Sequence, residues 1–160
     1  LFYFFFEGLT LLTESELMQR IPVWNALSDL FLDTELSDTT HRSIAKVVTK
    51  SGFEAQEIHD ILWKEVLPAV GDNLRVVAGE WAGFDPEWLK ERILSVRANA
   101  SATLSHVGLI SVSDLINITK EEWEKVCGYM PSDLAESLLK RCDVHLMTKE
   151  LKPQKWWRLW

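Results

Sequence analysis

The chain has 160 residues, 47% apolar and 26% charged, which excludes an intrinsically disordered protein and leaves room for one domain or two very small ones. Its net charge of −7 belongs to residues 1–94, which hold 16 acidic and 8 basic side chains, whereas the remainder holds 8 and 9. That balance disfavours nucleic acid and makes a basic protein the expected charged partner.

The first twelve residues read LFYFFFEGLTLL. They lack the basic start and small-residue cleavage site of an export signal and are too short for a membrane span. Residues 1–17 are therefore read as an apolar extension, with Met18 as a natural start. The aromatic run at 2–6 has to be covered, by this chain or by a second copy, so a homo-oligomer through it is one expectation. Cys127 and Cys142 are too few for a disulfide framework, so reduced thiols and a cytoplasmic location are expected.

Helix signals are dense. Pro22 suits a first helical turn, and Val23, Leu27, Leu30 and Phe31 follow at helical spacing. Ser37 is the expected cap of a second helix with Ile44, Val47 and Val48 as its apolar stripe, stopped at Gly52. A third helix is expected over 54–66, with Ile58, Ile61, Leu62 and Val66 inward and Pro68 closing it. Asp72 or Asn73 is expected to cap a fourth, carrying Leu74, Val76 and Val77. After the glycine-bracketed aromatic connection GEWAGF at 79–84, Asp85, Pro86 and Glu87 form a strong start for a helix through Leu89, Ile93, Leu94 and Val96. Strand signals are confined to the first six residues and to 109–112. The expected fold class is all-α, a compact helical bundle. It divides into an acidic helical body at 18–98, a helical module at 99–148 and a basic, tryptophan-rich tail at 149–160.

Two blocks, WNALSDLFLDTE at 24–35 and AGEWAGFD at 78–85, resemble an uncharacterised bacterial helical domain family over about residues 20–95. The resemblance implies a helical fold and a bacterial origin, and it brings no activity. GLISVSDL at 108–115, TKEEW at 119–123 and GYMPSDL at 128–134 resemble a helix-hairpin-helix arrangement, similar to the C-terminal domain of the bacterial RNA polymerase alpha subunit, over about residues 100–142. In that module Ser111 or Ser113 and Thr119 are N-cap types, Leu115 and Ile116 face inward, and Leu134, Leu138 and Leu139 stripe the closing helix. The resemblance implies DNA contact through helix N-termini, with Arg97, Gly108, Lys120 and Gly128 as the residues to test. The near-neutral balance of this segment offers DNA little attraction, so the expectation is a module that keeps the pattern for packing.

His41, His59, His106 and His145 belong to no zinc-protease, nucleophile-elbow or papain-type signature, and no phosphate-binding or dinucleotide loop is present. His59 and Asp60 read as a surface pair, and Cys142 with His145 falls short of a zinc set. No catalytic residue, metal set or cofactor is therefore expected. Carboxylates gather at Asp29, Asp33, Glu35 and Asp38 around the first interhelical turn, and again at Glu54, Glu57 and Asp60, in no calcium-loop spacing. Trp81 beside Glu80 is either an exposed anchor or a pin into the core. The tail KPQKWWRLW interleaves Trp156, Trp157 and Trp160 with basic groups and suits packing on its own domain or on a partner.

The expected function is a non-enzymatic protein-interaction protein, such as an immunity or antitoxin-type inhibitor of a basic effector. Its partner-binding candidates are Asp29, Asp33, Glu35, Asp38, Glu80, Trp81, Trp156, Trp157 and Trp160. The alternatives are a nucleic-acid-associated helix-hairpin-helix module and a small metal-dependent hydrolase.

Overall fold

The computed structural model describes residues 11–98, 104, 105 and 107–142, and every regular element among them is helical. The all-α expectation holds. Residues 1–10, His106, His145 and the tail with Trp156, Trp157 and Trp160 lie outside the described residues, and so does any contact between copies through the N-terminal segment.

Helix α1 (Glu14–Ser28) starts well before Pro22. Thr13 accepts from the Glu16 amide while the Glu16 carboxylate accepts from the Thr13 amide, a reciprocal capping box that fixes the first turn. Pro22 therefore stands inside the helix at an exposed position, where water can satisfy the carbonyl its ring leaves unbonded. Helix α2 (Asp38–Lys50) begins at Ser37 as expected, its hydroxyl accepting from the Thr40 amide at 3.2 Å, and Gly52 turns the chain at φ +76°.

The third rod is longer than its sequence suggested. Helix α3 (Ala55–Asp60) runs into a π-helical stretch (Ile61–Val66) and then into α4 (Leu67–Val70), so Pro68 does not end it. The widened turn lets the Leu67 amide reach Leu62 O, and the proline enters at the start of a new turn, where its missing donor is least needed. No fourth amphipathic helix follows. A 3₁₀ turn (Gly71–Arg75) stands in its place, and Val76 and Val77 are exposed. The reason is tertiary, because Asp72, Asn73 and Arg75 each spend their polar groups on bonds to distant loops.

Helix α5 (Pro86–Ala98) starts where expected, Asp85 Oδ1 accepting from the Trp88 amide at 2.8 Å. Residues 109–112 form no strand: the Leu109 amide donates to Arg75 O at 2.9 Å, and Ser111 caps α6 (Val112–Cys127). Thr119 caps nothing, since it lies buried in mid-helix and returns its hydroxyl to Leu115 O at 2.8 Å. A short turn leads to α7 (Ser132–Lys140), which buries Leu138 and leaves Leu139 exposed.

One core joins these elements. Trp24 and Leu27 of α1, Ile44 and Val48 of α2, Ile58, Ile61 and Leu62 of the third rod, Leu89 and Ile93 of α5, and Leu115 and Trp123 of α6 form a single buried cluster. Among the described residues no helix is long and apolar enough to cross a membrane.

Candidate interaction surface

The acidic first interhelical turn and the glycine-bracketed connection, 45 or so residues apart in sequence, are laced together. The Asp33 amide donates to Glu80 O at 2.8 Å, and the Gly79 amide donates to Asp33 Oδ2 at 3.4 Å. Asn73 is the clasp. Its Nδ2 donates to both Phe31 O and Glu80 O at 2.8 Å, while its Oδ1 accepts from the Glu80 amide at 2.7 Å. Gly79 is required here, because a Cβ would sit 2.3 Å from Asn73 O. The Glu80 carboxylate turns back to accept from the amides of Trp81 and Ala82 at 3.0 and 2.9 Å. Trp81 itself is 69% exposed. It is an exposed indole on a cross-linked loop, not a pin into the core.

Asn73 also lines a groove of about 510 Å³ between the 3₁₀ turn and α5, walled by Val70, Val76, Phe84, Trp88 and Arg92. Phe84 and Trp88 stack at 5.9 Å. Of the four carboxylates expected around the first turn, Asp33, Glu35 and Asp38 are exposed. Asp29 is only half-exposed, and burial pushes its carboxyl above the ordinary value of 3.8. Asp33, Glu80 and Trp81 are thus brought together, and Asp38 stands apart at the head of α2, 3.9 Å from His41. The second acidic group is engaged elsewhere: Glu57 pairs with Arg20 at 2.6 Å, and Asp60 with Lys64 at 3.1 Å.

Each residue named for nucleic-acid contact has its own neighbours in the fold. Arg97 pairs with the buried Glu65. Gly108 lies against Arg75, whose guanidinium would meet a Cβ there at 2.9 Å. Gly128 follows α6 as its C-cap, and Lys120 is half-buried near Cys142. His59 is buried beside Trp63, ring centroids 6.3 Å apart, rather than exposed on the surface as expected. Burial pushes the Cys127 thiol up to about 12 and raises Cys142 as well, so neither is a thiolate near neutrality.

A polar link that the sequence did not reveal joins α2 to α6. The buried His41 donates from Nε2 to Glu122 Oε2 at 2.7 Å, since an ionised carboxylate can only accept, and Lys125 binds the other oxygen at 2.6 Å. Burial alone would raise the Glu122 carboxyl, but the bonds from Lys125 and His41 together hold it below the ordinary 4.5. Glu122 therefore contributes stability that is fully present above about pH 4.5 and drains away as pH falls through its lowered value. Glu122→Gln is expected to flatten the acid limb of a stability-against-pH curve, measured by urea unfolding. An acid limb as steep as the unaltered protein's would show that the charge on Glu122 is not linked to folding.

Residues 18–129 match the family described as Domain of unknown function (DUF7079). The chain belongs to the DUF7079 family. The DUF7079 match covers the whole of the Asp33–Asn73–Trp81 surface and continues past residue 98 through α6, a longer stretch than the 20–95 suggested by the two sequence blocks. No curated protein and no solved structure matches the chain.

Proposed function

We propose that this chain is a non-enzymatic protein-interaction protein that captures a basic partner on the Trp81 surface, in the manner of an immunity or antitoxin-type inhibitor. The observation that supports this reading is the exposed Trp81 on a loop fixed from both sides by Asn73 and Asp33. A large rigid aromatic loses little conformational freedom on binding, and aromatic residues supply a large share of interface hot spots. The exposed carboxylates of Asp33, which is bonded to that loop, of Glu35 on the same interhelical turn, and of Asp85 and Glu87 at the start of α5 would steer a positively charged partner. The groove walled by Phe84 and Trp88 would take an apolar side chain beside the anchor.

The test uses the full chain as bait in a bacterial lysate at low and moderate salt, with captured proteins identified by mass spectrometry. Trp81→Ala is expected to weaken capture of a basic partner by about 30-fold or more, while changing stability by no more than about 0.5 kcal/mol. Asp33→Asn with Glu35→Gln is expected to slow association and to lose salt sensitivity. Retention of the same partner by all these variants would sink the proposal.

A further inference from the structure

The chain is strongly acidic overall, yet Arg42, Lys46 and Lys50 are exposed and have no ion-pair partner among the described residues. They occupy positions i, i+4 and i+8 of α2, so they rise by about 6 Å per step along one side of the helix. All three line a groove of about 380 Å³, whose other wall is Tyr129 and Pro131 from the turn between α6 and α7. That turn is firmly built. The Tyr129 amide donates to Val126 O and the Met130 amide to Cys127 O, both at 3.0 Å, and the Met130 side chain is buried beneath. Tyr129 is held 40% exposed, with the Arg42 guanidinium 4.7 Å from its ring centroid.

We propose that this groove binds a short run of single-stranded nucleic acid, with Arg42, Lys46 and Lys50 on successive phosphates and Tyr129 as a stacking platform for a base. Three cations in a row at this step follow a phosphodiester backbone in its extended form. An aromatic beside them, already carrying a guanidinium on its ring, is the pairing that single-strand sites use. An acidic peptide would engage the cations equally well but would give the Tyr129 ring nothing to stack. Its three cations lie on α2, within residues 1–94, whose net charge argues against nucleic acid. Binding is therefore local and salt-sensitive, without long-range steering.

The experiment is fluorescence anisotropy of a labelled twelve-residue oligothymidylate with the full chain. At low salt a dissociation constant of roughly 10⁻⁴ to 10⁻⁶ M, the range of non-specific binding, is expected. With three phosphates neutralised, raising salt fourfold should weaken it by roughly 16-fold. Arg42→Gln, Lys46→Gln and Lys50→Gln combined should abolish both binding and salt dependence, whereas Lys64→Gln, outside the groove, should change neither. Tyr129→Leu should weaken binding by roughly 5- to 150-fold, and Tyr129→Phe should restore it. Each variant is checked for an unchanged thermal melt, which separates contact from folding. Absence of binding at low salt overturns the proposal, and so does binding that survives the triple change. Tighter binding of a duplex of the same length also overturns it. So does a polyglutamate peptide that competes on equal terms while Tyr129→Leu has no effect, since that outcome assigns the groove to an acidic peptide.

Discussion

Glu65→Ala is expected to destabilise the fold by about 3–5 kcal/mol, because it breaks a buried ion cluster while leaving its cations in place. Glu65 lies on the π-helical stretch, with its side chain only 7% exposed. One carboxylate oxygen accepts from Trp24 Nε1 at 2.7 Å; the other is bound by Arg97 and lies 3.8 Å from Arg20 Nη1. A single side chain therefore ties α1, the third rod and α5 together. Its removal orphans the indole N–H of a buried tryptophan and leaves Arg97 without its counter-charge. Arg20 keeps Glu57 at 2.6 Å and its place over the Phe53 ring at 5.3 Å. For a chain of this size the loss corresponds to a fall in Tm on the order of 10–20 °C, read by circular dichroism. Glu65→Gln, which keeps an acceptor for Trp24 but not the charge, should fall between the two. If Glu65→Ala melts with the unaltered protein, the cluster does not hold the three helices together.

The same residue shows what the sequence could and could not reveal. Helix positions were readable wherever the signal was local. Ser37, Gly52 and the Asp85–Pro86 start act through neighbours within a few residues, and the structure keeps all three. The capping box at Thr13 and Glu16 went unread, because Pro22 drew the expected helix start towards itself. The errors arose where a local signal competed with distant bonds. Asp72 and Asn73 have the composition of helix caps. They serve instead to hold Arg75 with Ser105 and to clasp Glu80 to Phe31, partners that no spacing rule would select. Glu65 and His41 looked like ordinary helical polar residues, because only the packing of separate helices makes their environments dry.

The candidate surface was legible in parts. Asp33 and Trp81 were each notable alone, one as part of a carboxylate cluster and the other between two glycines. Their adjacency depends on Asn73, which the sequence marked only as a possible helix cap. The basic stripe of α2 was visible in principle, since Arg42, Lys46 and Lys50 repeat at four-residue spacing. A net charge summed over 94 residues concealed it. Surface chemistry is set by which charges share a face and lack partners, and a segment total averages over both properties.

Trp123→Ala tests how far the core acts as one unit, with an expected cost of about 3–5 kcal/mol. Trp123 is fully buried on α6, which packs on α2, and its side chain belongs to the same cluster as Trp24 and Leu27 of α1. An independent module after residue 98 would confine the damage to α6 and α7, and unfolding would split into two transitions. A continuous core instead makes the loss global. Urea unfolding followed by far-ultraviolet circular dichroism and by tryptophan fluorescence should give one coincident transition, shifted as a whole to lower denaturant. Trp123→Phe adds a second reading. The indole N–H of Trp123 has no hydrogen-bond acceptor among the described residues, so phenylalanine sacrifices ring volume but no polar contact. Its cost should be smaller, about 1–2 kcal/mol, and should come from the cavity alone. Two separated transitions in the alanine variant would place a domain boundary between α5 and α6, and equal costs for the two substitutions would mean that the indole N–H contributes after all.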